Sequence, residues 1–316
     1  QGAACRHPEK PRHALIMWHP STLLFAVTAL VLCCSSSPAH AADSAAGQLS
    51  NELQAVFSKW SQAMREENRE LWEKTTARYR QIGIRNMIVS QKKHWPDALF
   101  ESPISPPDVS AMQLARTMVK GVTAQLVYFG KPDFGVEEED AEIPDGLLFL
   151  MFIREKSGWK FSTSRFMRLD GAKEITAAAE KGDYSFLDAA HFTPPGKVPP
   201  LPKLCPMPEI VGYIEIVSIG YKTQASIAER SQHAVIDNVH KALIIGGLKA
   251  GINPIFVETT PLPIQPGNPG EKPKERHFEF SIYRQTPQPD APLKRIYHSG
   301  VKSDPGRFKV IVRGDG

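Results

Sequence analysis

The chain has 316 residues and a formal net charge of +4; 41% of its residues are hydrophobic and 23% are charged. This balance is typical of a folded globular protein and excludes fibrous and intrinsically disordered classes. The small net charge argues against a dedicated nucleic-acid-binding protein, which carries a dense basic face. Four cysteines in this length exclude a small fold built on disulfides.

An uncharged apolar run, STLLFAVTALVLCC, spans residues 21–34. As a helix it would be roughly 21 Å long, shorter than a hydrocarbon core of ~30 Å. It fits the apolar region of a secretory signal peptide, and the small residues Ala39 and Ala41 predict cleavage after Ala41. Residues 1–41 are therefore predicted to be a signal peptide with an upstream extension. The protein is expected to be exported, periplasmic or extracellular, and to meet a membrane only through this segment before cleavage.

Two questions about this region are left undecided by the sequence: where the chain starts and whether a cysteine is lipidated. The chain starts either at residue 1 or at Met17, which lies just before the apolar run. Cys33 and Cys34 raise the question of lipidation, although Val31 and Leu32 stand where small residues normally precede a lipidated cysteine.

A proline-rich stretch, TPPGKVPPLPKLCPMP, occupies residues 193–208. Proline lacks a backbone N–H and keeps the preceding residue out of the helical region, so this stretch predicts an extended, semi-rigid linker. Cys205 lies within it and is the single cysteine after Ala41. No intramolecular disulfide is then expected, and Cys205 is interpreted as a bystander and not as a nucleophile.

Helices come first in the half before this linker. Leu53, Phe57, Trp60 and Met64 follow helical spacing, and Ser50 is a candidate N-cap. A second amphipathic stripe is expected over residues 71–79 and a third short piece over residues 82–88.

Extended runs follow these helices. Strands are predicted at residues 112–119, 122–129, 147–154 and 159–169, the last two joined by a short hairpin turn at 155–158, and a final helix at 173–181. Helices followed by an antiparallel sheet predict an α+β domain over residues 48–182.

The order of these elements, with Ser157-Gly158-Trp159-Lys160-Phe161 at the last hairpin, resembles the nuclear transport factor 2-like family, which includes ketosteroid isomerase and SnoaL-like proteins. The resemblance covers residues 48–170. It implies a cone-shaped domain whose mouth holds a small apolar ligand, and pairing of two sheets in a homodimer. It implies no reaction, because members of one fold differ in function.

The half after the linker reads as all β. Eight short strands predict a β-sandwich over residues 209–316, at 211–218, 221–228, 233–236, 241–245, 252–258, 277–284, 295–299 and 308–313. The segment Gly246–Asn253 resembles a turn of immunoglobulin- or fibronectin-like domains. A phosphate-binding reading of its glycines is disfavoured, because a strand containing Pro254 follows where such a loop needs a helix.

Sequence-local metal or catalytic patterns are not evident. No histidine pair has the spacing of a zinc site on one helix face. The acidic run at residues 137–145 lacks the order of a calcium-binding loop and reads as a solvated connection. No cofactor and no catalytic residue is predicted.

The candidate ligand pocket is placed inside the cone. Its predicted lining consists of Phe57, Trp60, Met64, His94, Trp95 and Met151.

Three functions remain open. The first is an exported, non-enzymatic binding or interaction protein of the cell envelope, whose partner is a small apolar ligand or an envelope protein. The second is an isomerase- or hydratase-type enzyme that uses the cone, although Asp97, Glu101 and Asp108 lie in a proline-containing loop and match no family catalytic pair. The third is a carbohydrate-binding sandwich that uses strand aromatics, namely Tyr213, Tyr221, Phe278, Phe280 and Tyr283.

Overall fold

The computed structural model divides the chain into two compact units, residues 1–42 and residues 43–316. It describes residues 38–101, 105–135, 144–263, 275–288, 290, 292–302 and 306–315, with side chains from residue 46 onward. The predicted signal run, Met17, Cys33 and Cys34 lie outside the described residues, as do residues 137–140 and 142 of the acidic run. Export, cleavage and lipidation therefore stay predictions.

Four helices and ten strands form the described chain, which makes it an α+β fold. The helices are α1 (Pro38–Arg65), α2 (Arg69–Thr75), α3 (Arg78–Ser90) and α4 (Lys173–Glu180). Short 3-10 turns are present at Asp97–Phe100, Ser185–Asp188 and Ala190–Phe192. No helix among the described residues combines the length and the hydrophobicity needed to cross a bilayer.

The first sheet is a four-stranded antiparallel meander in the order β1-β2-β3-β4. Its strands are β1 (Gln113–Lys120), β2 (Thr123–Gly130), β3 (Gly146–Glu155) and β4 (Gly158–Arg168). Each begins and ends within about two residues of its predicted bounds. The tight β3–β4 turn is confirmed, because Glu155 pairs with Gly158, and Gly158 has the positive φ of 101° that favours glycine.

Both faces of this meander are covered. Leu53 and Phe57 of α1 pack on the face that carries Leu126, Leu150 and Phe152. The opposite face, with Phe129, Leu147 and Phe149, is covered by α4 and by the segment from Tyr184 to Phe192. Burial on both sides explains why β2 and β3 read as continuous apolar runs and not as alternating ones.

Two details of the helices differ from prediction. Ser50 does not cap α1; it lies inside the helix, and its hydroxyl accepts a hydrogen bond from Thr117 Oγ1 at 3.1 Å. The stripe at residues 71–79 is not one helix, because Thr76 and Ala77 turn into extended backbone between α2 and α3. The Ala77 N–H donates to the Phe161 carbonyl at 2.8 Å. Pairing with β4 thus ends α2, which helical periodicity alone cannot reveal.

The second sheet has six strands and surrounds one core. They are β5 (Gly212–Ile227), β6 (Ser231–Leu243), β7 (Ile252–Pro261), β8 (His277–Gln285), β9 (Leu293–His298) and β10 (Arg307–Arg313). Five of them follow the order β10-β7-β5-β8-β9, and β6 pairs along the other edge of β5.

The eight predicted strands become six because two pairs merge. The predicted break within β5 is a bulge between Ser218 and Lys222 and not a chain reversal. The first half of β5 pairs with β8 and the second half with β7. One continuous, bent sheet therefore takes the place of the two packed sheets that a sandwich would show.

The proline-rich segment is held against α3, and α3 also contacts the second half of the chain. Asn86 of α3 donates from Nδ2 to the Lys203 carbonyl at 2.8 Å and accepts from the Cys205 N–H at 3.0 Å. Ser90 Oγ accepts from the Gly246 N–H at 2.7 Å. We call this set of contacts the linker clamp. Asn86, Ser90 and Cys205 are buried, whereas Lys203 is exposed.

Candidate functional site

The candidate site is a cleft of about 790 Å³ on the outer surface of the second sheet. Alternation along the strands places it there. On β5, Ala225 and Ile227 enter the core, so Gln224 and Ser226 point to the opposite face. On β7, Ile255 and Val257 are buried and Phe256 is exposed. We call this cleft the outer cleft.

Strand register arranges the lining in two rows. In the first row, Gln224 lies between Ala234 of β6 and Glu258 of β7, and Glu258 is opposite Arg307 of β10. In the second row, Ser226 lies between Gln232 and Phe256, and Phe256 is opposite Lys309. Four strands thus contribute side chains to one surface, which no single segment of the sequence encodes.

The lining offers free hydrogen-bonding groups. Within the described part of the chain, the side chains of Gln224, Ser226 and Gln232 make no hydrogen bond. A carboxamide carries both donors and an acceptor, and a hydroxyl carries both as well. These groups are available to a ligand.

The charged groups of the outer cleft nearly cancel. Arg307 Nη2 donates to Glu258 Oε1 at 2.5 Å, and the nearby carboxylate raises the pKa of Arg307. Lys309 Nζ lies 5.4 Å from the centroid of the Phe256 ring, in cation–π geometry. The surface is therefore close to neutral, with one exposed aromatic ring.

A buried serine–histidine pair adjoins the outer cleft, and His233 is among the residues that line it. Ser231 Oγ is 2.8 Å from His233 Nε2 and accepts a hydrogen bond from the Ile245 N–H at 3.0 Å. Burial lowers the pKa of His233 to about 4, with a smaller contribution from His240, whose ring centroid is 5.7 Å away. Ser231 is 1% exposed, so its hydroxyl is not accessible to a ligand in the outer cleft.

The predicted cone pocket residues do not share one cavity. The ring centroids of Phe57 and Trp60 are 5.7 Å apart, and those of Trp60 and Phe161 are 4.2 Å apart, so these rings pack against one another. Met151 lies on the opposite face of the meander, because β3 alternates and Leu150 and Phe152 take the face toward α1.

The other three pocket residues lie elsewhere. Met64 and Trp95 border the small core around α2 and α3, where Trp95 meets Trp72 edge-on at 6.0 Å. His94 is 80% exposed and contacts Asp97 at 3.1 Å. The outer cleft and three smaller clefts on the described surface are lined by other residues than these six.

The strand aromatics predicted as a sugar-stacking set belong mainly to the core. Tyr221, Phe278 and Phe280 are at most 1% exposed. Tyr213 and Tyr283 are half-buried, and Tyr283 donates from its hydroxyl to Glu215 at 2.5 Å. This set therefore presents no exposed aromatic platform.

The remaining sequence candidates show ordinary structural roles. Gly246 and Gly247 have positive φ values of 81° and 61° and form a turn between β6 and β7. Within the described ranges, no group of three or more histidine, cysteine, aspartate or glutamate residues could hold a metal ion.

Sequence reasoning missed the outer cleft, although one signal for it was present. Phe256 stands between Ile255 and Val257 in a predicted strand, so a period of two exposes either the phenylalanine or both aliphatic residues. A single exposed apolar residue is common on protein surfaces, so Phe256 marks a site only together with the polar residues beside it. Its polar neighbours depend on which strands pair, and that information is not local.

No protein-family model, curated protein or solved structure matches this chain. The resemblance to the nuclear transport factor 2-like and immunoglobulin-like families therefore stays a prediction.

Proposed function

We propose that this chain is a non-enzymatic binding protein whose ligand site is the outer cleft. The proposal depends on one observation: free polar side chains and an exposed aromatic ring line a cleft of about 790 Å³. Small-molecule sites occupy roughly 300–1,000 Å³ and combine apolar surface with a few polar groups. The proposal retains the prediction that the protein is exported and acts in the cell envelope.

The enzyme alternative has less support. Acid–base catalysis in a cone needs an ionisable group whose pKa is shifted by an apolar interior. Among the described residues of the first half, no aspartate, glutamate or histidine is buried. Tyr128 is buried, but its hydroxyl accepts a hydrogen bond from Gln54 at 3.1 Å, and packed rings fill the space around Trp60.

A thermal-shift screen of the full chain tests the proposed function. The library contains apolar small molecules, amino acids and short peptides, nucleotides and oligosaccharides. We expect one ligand class to raise the melting temperature by about 2–4 °C. The shift should disappear in Ser226→Trp, which fills the outer cleft, and persist in Thr260→Trp, which adds the same bulk to the same sheet face outside it. A library without any stabilising compound, or a shift that Ser226→Trp retains, would contradict the proposal.

A further inference from the structure

We infer that the ligand of the outer cleft is an uncharged oligosaccharide, with one sugar ring stacked on Phe256. The inference rests on the proposed function and adds the chemical class of the ligand. Three properties of the cleft carry it: its hydrogen-bonding groups, its exposed ring and its charge.

The hydrogen-bonding groups suit hydroxyls. A sugar hydroxyl both donates and accepts, and a carboxamide or a serine hydroxyl does the same. Gln232 lies opposite Ser226 in the second row, Gln224 lies two residues before Ser226 on β5 in the first row, and all three side chains are unpartnered within the described chain. A ligand rich in hydroxyl groups satisfies them without any change in charge.

Phe256 supplies the apolar part of the site. Phe256 is 55% exposed, although the neighbouring Ile255 and Val257 are buried. The C–H face of a pyranose is apolar, and its contact with an aromatic ring removes both surfaces from water. Lys309 lies over this ring, so a stacked sugar either displaces its ammonium group or accepts a hydrogen bond from it.

The charge of the cleft disfavours ionic ligands. Glu258 and Arg307 neutralise each other. Lys309 then leaves a single positive charge, whereas recognition of phosphate or sulfate groups normally uses several arginines or lysines. Glu258 and Arg307 remain able to accept from and donate to hydroxyls through the groups that do not face one another.

Isothermal titration of the full chain with four hexasaccharides tests the inference: cellohexaose, chitohexaose, maltohexaose and laminarihexaose. We expect at least one to bind, and Phe256→Ala to weaken that binding about tenfold, which corresponds to about 1.4 kcal/mol. Ile311→Ala is the matched control, because Ile311 is 51% exposed on β10 and does not line the cleft. Its affinity should stay at the wild-type value. Circular dichroism of each variant establishes that the fold is retained.

The outcomes separate the two proposals. Failure of all four saccharides to bind, or equal binding by Phe256→Ala and wild type, overturns the saccharide inference. If a charged or apolar compound from the screen still stabilises the wild type and Thr260→Trp but not Ser226→Trp, the proposed function survives with another ligand class. If no compound does so, both fail.

Discussion

At the scale of single residues, folding changes the chemistry of His233. In the unfolded chain a histidine titrates near pH 6.5, and in the folded chain burial lowers the pKa of His233 to about 4. Between these two values the unfolded state binds more protons than the folded state. The stability contributed by neutral His233 is therefore complete above about pH 6.5 and is lost as the pH falls through about 4.

His233→Gln should consequently reduce the acid sensitivity of the protein. From pH 7 to pH 4, the free energy of unfolding of the wild type should fall by about 2–3 kcal/mol more than that of the variant. Urea titrations at both pH values measure this difference. His94→Gln is the control, because His94 is exposed. Its free energy of unfolding should fall between pH 7 and pH 4 by the same amount as that of the wild type. If the free energy of unfolding falls equally in His233→Gln and in the wild type over this pH range, burial of this imidazole has no such effect.

Single residues also show why the six predicted pocket residues are spread over different parts of the first half of the chain. Phe57 of α1 and Met151 of β3 are both large and apolar. The sequence does not tell whether Met151 points to the face of the meander on which Phe57 packs or to the opposite face. The alternation of β3 was hidden because both faces of the strand are buried. By contrast, Trp60 was correctly placed on the buried stripe of its helix.

At the scale of elements, β5 organises the second half of the chain. It pairs with β6 along nearly its whole length and with β8 and β7 in turn along the other edge. The bend between these two regions lies at Gly220, whose φ is 73°. Ser218 Oγ bonds to the Tyr221 carbonyl at 3.1 Å and to Thr223 Oγ1 at 2.6 Å, which gives the buried polar groups of the bend partners.

Gly220→Ala should destabilise the protein by about 1–2 kcal/mol. An L-residue is strained at this φ, and a Cβ atom would lie 2.7 Å from Arg276 Cγ. Gly171→Ala is the matched control, because a Cβ atom added there would have no neighbour within 4 Å and its φ is not positive. Chemical denaturation of both variants measures the difference. Equal stability of the two would mean that the bend at Gly220 needs no glycine.

Most helices and strands could be predicted from the sequence, but the merging of separate predicted strands into one longer strand could not. Residues 112–119 and 173–181 were predicted close to β1 and α4, because strand and helix periodicities are local properties. The merging of two predicted strands into β5 depends on β7 and β8, which approach from distant parts of the chain. Gly220 looks like a turn residue in the sequence, and partner strands convert the turn into a bulge.

At the scale of the whole molecule, the buried apolar residues form separate clusters in the two halves, while residues 43–316 form one compact unit. The linker clamp accounts for part of this connection. The proline content of residues 193–208 predicted an extended segment, but proline content does not show that Asn86 and Ser90 hold it in place. The predicted domain boundaries at residues 182, 193 and 209 stay predictions.

Asn86→Ala should release the proline-rich segment. The variant leaves the Lys203 carbonyl and the Cys205 N–H without their partner, and an unpaired buried N–H such as that of Cys205 costs about 1–3 kcal/mol. Under native conditions, trypsin should then cut after Lys203 faster than in the wild type, while sites within β3 and β4 keep their protection. Asn51→Ala, on an exposed position of α1, should be cut like the wild type. Unchanged cleavage after Lys203 in Asn86→Ala would refute this role of the clamp.

The same contacts imply how a severed chain would behave. A break at Lys197 lies upstream of Lys203, so Asn86 still binds the Lys203 carbonyl and Ser90 still binds the Gly246 N–H. The two fragments would remain associated without a peptide bond between them. They should migrate as one species on a sizing column and separate only in denaturant.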